Sequence, residues 1–236
     1  MSTYACADLH GRLDLFYQIQ SFLGDSDKLY IIGDVLDRGP DSWKLLKVVL
    51  KDPRCTLMKG NHEDMCYNGT KEILHGDYYN SAPLWFYNGG NVTYEQMLEE
   101  KNFTDLLPVL RRLILETEYT NQDGIKFILN HSGFYSPKEE KNNSKIIWDR
   151  EQYKYYFNHS WEGPEDVIVV HGHTPIPIMI EEYKKIYPKV LKALDYEDGA
   201  LWYANNHKVN LDTGACWTGQ TVMLDLDTLD EHIFGI

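Results

Sequence analysis

Three times in its first third the chain runs from a short apolar segment into a cluster of Asp, Asn and His, and then into an amphipathic stretch. "YACA" leads through "DLHG" to "RLDLFYQIQSFL", "KLYII" through "GDVLDRG" to "DSWKLLKVVL", and "CTLM" through "GNHE" to "HEDMCYNGTKEIL". Leu13, Phe16, Ile19 and Leu23 recur at helical spacing, whereas Leu29 to Ile32 form the continuous apolar run of a strand covered on both faces. This β-α-β-α-β-α rhythm predicts an α/β fold with a parallel or mixed sheet flanked by helices. In open α/β sheets the carboxyl ends of the strands converge on the functional crevice. Asp8 and His10, then Asp34, Asp37 and Arg38, then Asn61, His62 and Glu63 would therefore meet there.

The remainder of the chain is read more coarsely. Residues 81–120 read as helical, with Asn91 as a cap for "NVTYEQMLEE" and with Leu106, Leu107, Leu110 and Leu113 near one face despite Pro108. "IKFILN", "EDVIVVHG", "HKVNLD" and "TVMLDLD" follow as strand candidates, the last suggesting a second, partly antiparallel sheet. Two of them end in further polar clusters, at His131 ("NHSGF") and at "HGHTP". The stretch 176–206, rich in charge and tyrosine, reads as a cover insertion within a single domain over 1–236. Tyr183, Tyr187, Tyr196, Trp202 and Tyr203 would make it either a flap over the site or additional core and dimer surface.

Taken one at a time these clusters have ordinary explanations: Asp before a helix caps it, Asp-Arg on a surface is a solvated pair, and Asn-His after Gly is turn chemistry. Five strand ends that all carry carboxylates, an amide or imidazoles are better explained by a two-metal centre. Mixed Asp, Asn and His ligation without thiolates suits manganese, iron or zinc. Cys6, Cys55, Cys66 and Cys216 are too widely spaced for a structural zinc site or a disulfide framework, which fits a reducing cytoplasm. A formal net charge of -13 argues against nucleic-acid binding, and no apolar run approaches a membrane span. The amino terminus lacks the basic-then-apolar pattern of a secretory signal.

"DLHG", "GDVLDRG", "GNHE", "HSG" and "GHTP", in this order and spacing, resemble the calcineurin-like metallophosphoesterases, and more narrowly the phosphoprotein phosphatase branch with its bacterial and phage serine/threonine phosphatases. "WFYNGG", "IIWDR" and "LDTGACW" are similar to the bacterial group less sharply. The resemblance spans Asp8 to about Asp225 and implies a sandwich of two mixed β-sheets flanked by helices, with a dinuclear metal site at strand carboxyl ends. It implies Asp8 and His10 at the first metal, Asp34 bridging, and Asn61, His131 and His173 at the second. Phosphodiesterase-type relatives read G-H-x-H; Pro175 at the second histidine position implies phosphomonoester chemistry, and His171 matches no ligand position.

The resemblance further implies catalysis by His62 as general acid, Asp37 as its orienting partner, and Arg38 and Arg150 gripping the phosphate beside Asn61. Two cations roughly 3.5 to 4 Å apart would activate a bridging hydroxide for in-line attack and clamp the phosphate oxygens. Glu63 is expected to be structural. The expected activity is that of a serine/threonine protein phosphatase using two divalent ions, manganese first, with a phosphorylated protein or small phosphomonoester as substrate. One rival is a symmetrical dinucleoside tetraphosphate hydrolase, against which Glu63 and Asp37 weigh; the other is an inactive phosphoprotein-binding scaffold, against which the filled ligand positions weigh. Ser132 and "CWTGQ" depart from the family pattern without removing a ligand.

Overall fold

The computed structural model describes residues 1–137, 140–157, 159–186 and 198–235. Its first third alternates as the sequence rhythm requires: β1 (Thr3–Cys6), α1 (Leu13–Phe22), β2 (Lys28–Ile31), α2 (Ser42–Lys51), β3 (Cys55–Leu57) and α3 (Asn61–Leu74). The chain then passes through α4 (Ser81–Tyr87), α5 (Gly90–Leu98) and α6 (Leu107–Arg112) to β4 (Glu116–Thr120) and β5 (Lys126–Asn130). After α7 (Asn143–Trp148), α8 (Gln152–Tyr156), β6 (Val167–His171) and α9 (Ile176–Ile186) come β7 (Leu201–Tyr203) and β8 (Lys208–Asn210). The short α10 (Ala215–Thr218) and the strands β9 (Thr221–Asp225) and β10 (Glu231–Phe234) complete it.

Two five-stranded sheets result, in the orders β10-β9-β1-β2-β3 and β4-β5-β6-β8-β7. β1, β2 and β3 pair in parallel, as do β5, β6 and β8, while β9, β10, β4 and β7 are antiparallel additions. Strand parity then divides the core. In and beyond β1, Ala5 and Ala7 face Phe127, Leu129, Val170 and Val209 of the second sheet, whereas Tyr4 and Cys6 pack with Phe16, Ile19, Leu45 and Leu46 of α1 and α2. On the outer face of the second sheet Ile176 and Met179 of α9 join Tyr153 and Tyr156 of α8. The order helix, sheet, sheet, helix brings the carboxyl ends of β1, β2 and β3 opposite those of β5 and β6.

Three expectations are corrected, and one of two alternatives for residues 176–206 gains support. Residues 81–120 are not helical throughout, because Glu116–Thr120 is strand β4, paired with β5 over its whole length. Its Glu-Thr-Glu-Tyr-Thr alternation has period two, which the preceding leucines obscured. Asn91 is not the cap of α5; Gly89 takes that position at φ 94, a left-handed conformation that suits glycine, and its carbonyl accepts the Arg38 N–H. "TVMLDLD" belongs to the first sheet, antiparallel to β1, where Val222 and Leu224 join the inter-sheet core. Within 176–206 the described parts are α9 and the edge strand β7, and Tyr183 and Tyr203 are buried against α8 as core. Tyr187 and Tyr196 lie outside the described residues.

Candidate metal centre

The polar clusters sit on backbone that most residues avoid. Asp8, His10, Asp34, Asp37, Arg38 and His173 all have positive φ, making six of the ten such non-glycine residues described. Each such conformation costs of order 1–3 kcal/mol and persists only where surrounding contacts over-determine it. The constraints are visible. The buried Glu63 carboxylate accepts the N–H groups of Asp34 (2.8 Å), Val35 (3.0 Å), Leu36 (3.3 Å) and Gly60 (2.9 Å), holding the loop after β2 against the start of α3. Both oxygens of Asp8 accept the His173 N–H, at 3.1 and 3.0 Å, and a side chain at Gly172 would collide with that carboxylate.

Asp34 stands in two groups of ligand atoms close enough to share a cation: His10, Asp34 and His62, and Asp34, His131 and His173. His10 donates through Nδ1 to the Leu36 carbonyl (2.7 Å), and His131 through Nδ1 to the Ile32 carbonyl (2.8 Å). Their Nε2 atoms are thereby turned towards Asp34, at 3.7 and 3.3 Å from Oδ2. Asn61 Oδ1 meets His131 Nε2 at 3.0 Å and His173 Nδ1 at 2.8 Å. Asp34, Asn61, His131 and His173 are thus gathered as one set. On the other side the grouping is His10, Asp34 and His62, and the expected ligand Asp8 is bonded to the His173 N–H.

Burial and mutual repulsion shift the titration of the carboxylates and imidazoles gathered here. Burial together with repulsion from Asp212 and Asp34 pushes the Asp8 carboxyl well above its ordinary range, and burial with Asp34 nearby raises Asp212 to about 6. Burial and the Asp34 charge likewise push Glu63 up to about 7. Desolvation pushes the His10 and His173 imidazoles well below their ordinary value, with neighbouring cationic groups adding to the effect. Burial opposes charge on Asp34 and His131 alike, but their mutual attraction prevails, holding Asp34 below and His131 above its ordinary value. Buried carboxylates that repel one another, beside imidazoles and an amide oxygen, form a hard-to-borderline donor set without sulfur. The residues fit divalent ions of the manganese, iron or zinc kind.

His62 and Arg38 border the same space. His62 Nδ1 donates to Asp37 Oδ2 at 2.6 Å, and Asp37 also accepts Trp85 Nε1 (3.0 Å to each oxygen) and Thr93 Oγ1 (2.6 Å). Arg38 approaches His10 Nε2 (2.8 Å) and His62 Nε2 (3.0 Å), and the exposed Arg150 reaches His173 Nε2 through its Nε (3.2 Å). Hydrogen bonds and close approaches thus link Asp8, His10, Asp34, Asp37, Arg38, Asn61, His62, His131, Arg150 and His173 around this region. Thr93 carries no sequence motif, and Trp85 and Asp212, within "WFYNGG" and "LDTGACW", gain their part only from the fold, Trp85 and Thr93 through Asp37. His171 is indeed apart from the ligands: its Nδ1 donates to the Gly172 carbonyl and its Nε2 accepts the Tyr203 hydroxyl (2.7 Å). Ser132 donates to the Lys145 carbonyl.

A two-sheet sandwich with this strand-end cluster defines a metallophosphoesterase, and comparison with known proteins agrees. The calcineurin-like phosphoesterase family matches residues 1–211, and the chain belongs to that family. It is similar to serine/threonine-protein phosphatase 2 of Escherichia coli (strain K12), 31% identical over 154 residues covering 61% of this chain and 66% of that protein. It is also similar to the symmetrical bis(5'-nucleosyl)-tetraphosphatase of Nitrosomonas europaea, 36% identical over 140 residues, 56% of this chain and 45% of that protein. The matched spans thus fall short of two thirds of these relatives' lengths. A solved metallophosphoesterase from Sphaerobacter thermophilus shares the fold, with a TM-score of 0.57 at 15% identity, covering 100% of this chain and 88% of that one. Among the described residues no helix is long and apolar enough to cross a membrane.

Proposed function

We propose that the chain is a phosphomonoester hydrolase of the serine/threonine protein phosphatase type, working with two divalent metal ions, manganese first among them. Asp8, His10, Asp34, Asn61, His131 and His173 would hold the ions, which when bound supply Lewis-acid activation of a water for in-line attack. Arg38 and Arg150, whose planar guanidinium groups suit bidentate binding, would grip the phosphate oxygens beside Asn61. His62 would deliver a proton from Nε2 to the leaving oxygen while Asp37 steadies the imidazolium through Nδ1.

The observation that carries the reading is the His62–Asp37 hydrogen bond of 2.6 Å, with Asp37 itself held by Trp85 and Thr93. A serine or threonine phosphate expels a poor alkoxide and depends on such an acid. Cleaving a dinucleoside polyphosphate expels a phosphate-stabilised group that depends on it less. The second reading, a symmetrical dinucleoside tetraphosphatase, draws on relatives that bear that name. Manganese-loaded protein assayed on p-nitrophenyl phosphate, its bis-ester, phosphoserine and phosphotyrosine peptides and diadenosine tetraphosphate separates the two. The phosphoserine peptide is expected to be preferred; faster cleavage of diadenosine tetraphosphate than of any phosphopeptide overturns that order.

A further inference from the structure

Lys208 of β8 is fully buried, and among the described residues no carboxylate lies within ion-pair distance of its ammonium. Its Nζ donates to the Gly133 carbonyl at 2.5 Å and to Gln152 Oε1 at 3.2 Å, and stands 4.7 Å from the centre of the Tyr156 ring. An ammonium ion so placed is expensive to desolvate, and burial pushes its pKa down to about 7. A methionine or leucine would fill the space at lower cost, so the partners of the ammonium bear on its purpose.

Those partners belong to two different arms of the metal centre. Gly133 ends the turn that follows β5 and carries His131, whose own carbonyl accepts the Gly172 N–H. Gln152 opens α8, two residues after Arg150. Its backbone N–H and that of Glu151 both bond to Asp149 Oδ1, closing the turn that presents Arg150. Gln152 Oε1 also accepts the Tyr135 N–H at 3.2 Å, so one amide oxygen joins Lys208, the segment after His131 and the Arg150 turn.

We infer that Lys208 is a positioning residue: its buried ammonium ties the turn bearing His131 to the turn bearing Arg150, setting a metal ligand and the phosphate-binding arginine at a fixed separation. The inference rests on Arg150 binding phosphate, and holds for either substrate class. It is tested in the full chain with two variants, Lys208→Met, which removes the tie, and Gln152→Leu, which removes the amide links to Lys208 and to the Tyr135 N–H but keeps the Lys208 bond to the Gly133 carbonyl. Manganese is titrated calorimetrically into metal-free protein, and kcat, KM and inhibition by inorganic phosphate are measured with p-nitrophenyl phosphate. Lys208→Met is expected to weaken manganese binding about ten-fold or more, as loss of a group supporting a metal ligand does, and to raise KM more than it lowers kcat. Gln152→Leu is expected to leave manganese binding unchanged and to weaken phosphate inhibition about three- to ten-fold, the equivalent of one hydrogen bond. Unchanged manganese affinity in Lys208→Met, or unchanged phosphate inhibition in Gln152→Leu, overturns the inference. Should Lys208→Met fail to fold, the phosphate result with Gln152→Leu decides alone. A wild-type chain that neither binds manganese nor turns over the ester would instead refute the proposed function.

Discussion

Replacing Asp37 with Asn probes the proposed proton delivery by His62 most directly, because shape is kept and one acceptor oxygen is exchanged for a donor. The Asp37 carboxylate receives three donors, His62 Nδ1, Trp85 Nε1 and Thr93 Oγ1, at 2.6 to 3.0 Å. An Asn amide must turn its NH₂ towards at least one of them. If it faces His62, the bond that steadies the imidazolium is lost. Hydrogen bonds to charged groups contribute about 1.5–3 kcal/mol, so the rate on a substrate that needs protonation should fall about 10- to 150-fold. The ceiling is the whole general-acid contribution, about 10² to 10⁴-fold, which His62→Ala removes. If the amide faces Trp85 and Thr93 instead, a buried donor is left unpaired and the loss appears as stability, about 1–3 kcal/mol. In a chain of this size each kcal/mol corresponds to about 2–4 °C of Tm. The assay compares kcat on a phosphoserine peptide with kcat on p-nitrophenyl phosphate, whose nitrophenolate departs without help, and records Tm alongside. The reasoning predicts a large loss on the peptide and a small one on the aryl ester. Equal losses on both substrates would refute the general-acid role of His62 and the support given by Asp37.

Three further outcomes are expected. Glu63→Gln leaves four backbone N–H groups competing for one amide oxygen, and should lower stability by about 2–3 kcal/mol and weaken manganese binding; thermal melts with and without metal would show it, and an unchanged Tm would remove Glu63 as the support of the Asp34 loop. Gly172→Ala places a methyl group against the Asp8 carboxylate and Ala7, and overpacking of this kind costs about 1–3 kcal/mol; a variant that melts and binds metal like wild type would show the turn to be looser than its contacts imply. His171 is pushed by burial, and secondarily by Lys208, down to about 3. Its folded value lies below the unfolded one of about 6.5, so the unfolded chain binds the extra proton and stability is lost as pH falls through that window, by about 2 kcal/mol at pH 5. His171→Gln should flatten the slope of stability between pH 6.5 and 5 in denaturant titrations; an unaltered slope would remove His171 as its source.

Much of the centre was legible because it is built from segments in which an apolar run and its ligands are adjacent in the chain. A strand that ends in Asp-x-His or Gly-Asn-His-Glu carries its polar cluster to the sheet edge whatever surrounds it. Less legible was anything that depended on a distant partner. Glu116–Thr120, its short alternation masked by the leucines before it, becomes a strand through its pairing with β5. "TVMLDLD" is an equally good strand in either sheet, and pairing with β1 placed it in the first. Thr93, on a helix surface in sequence terms, acquires its part only because α5 packs its buried face against the Asp37 loop.

The sequence by itself determined the alternating strands and helices, the Asp, Asn and His residues at five strand ends and, through Pro175, the absence of an imidazole at that position. These follow from short-range periodicity and from donor chemistry, neither of which needs coordinates. The tertiary structure decided that Asp34 is common to both candidate ligand groups, that Asp8 accepts the His173 N–H, that Glu63 braces the Asp34 loop, and that Lys208 is buried between two turns. Those properties depend on how two sheets meet, since distances between strand ends and the burial of a charge are set by non-local packing.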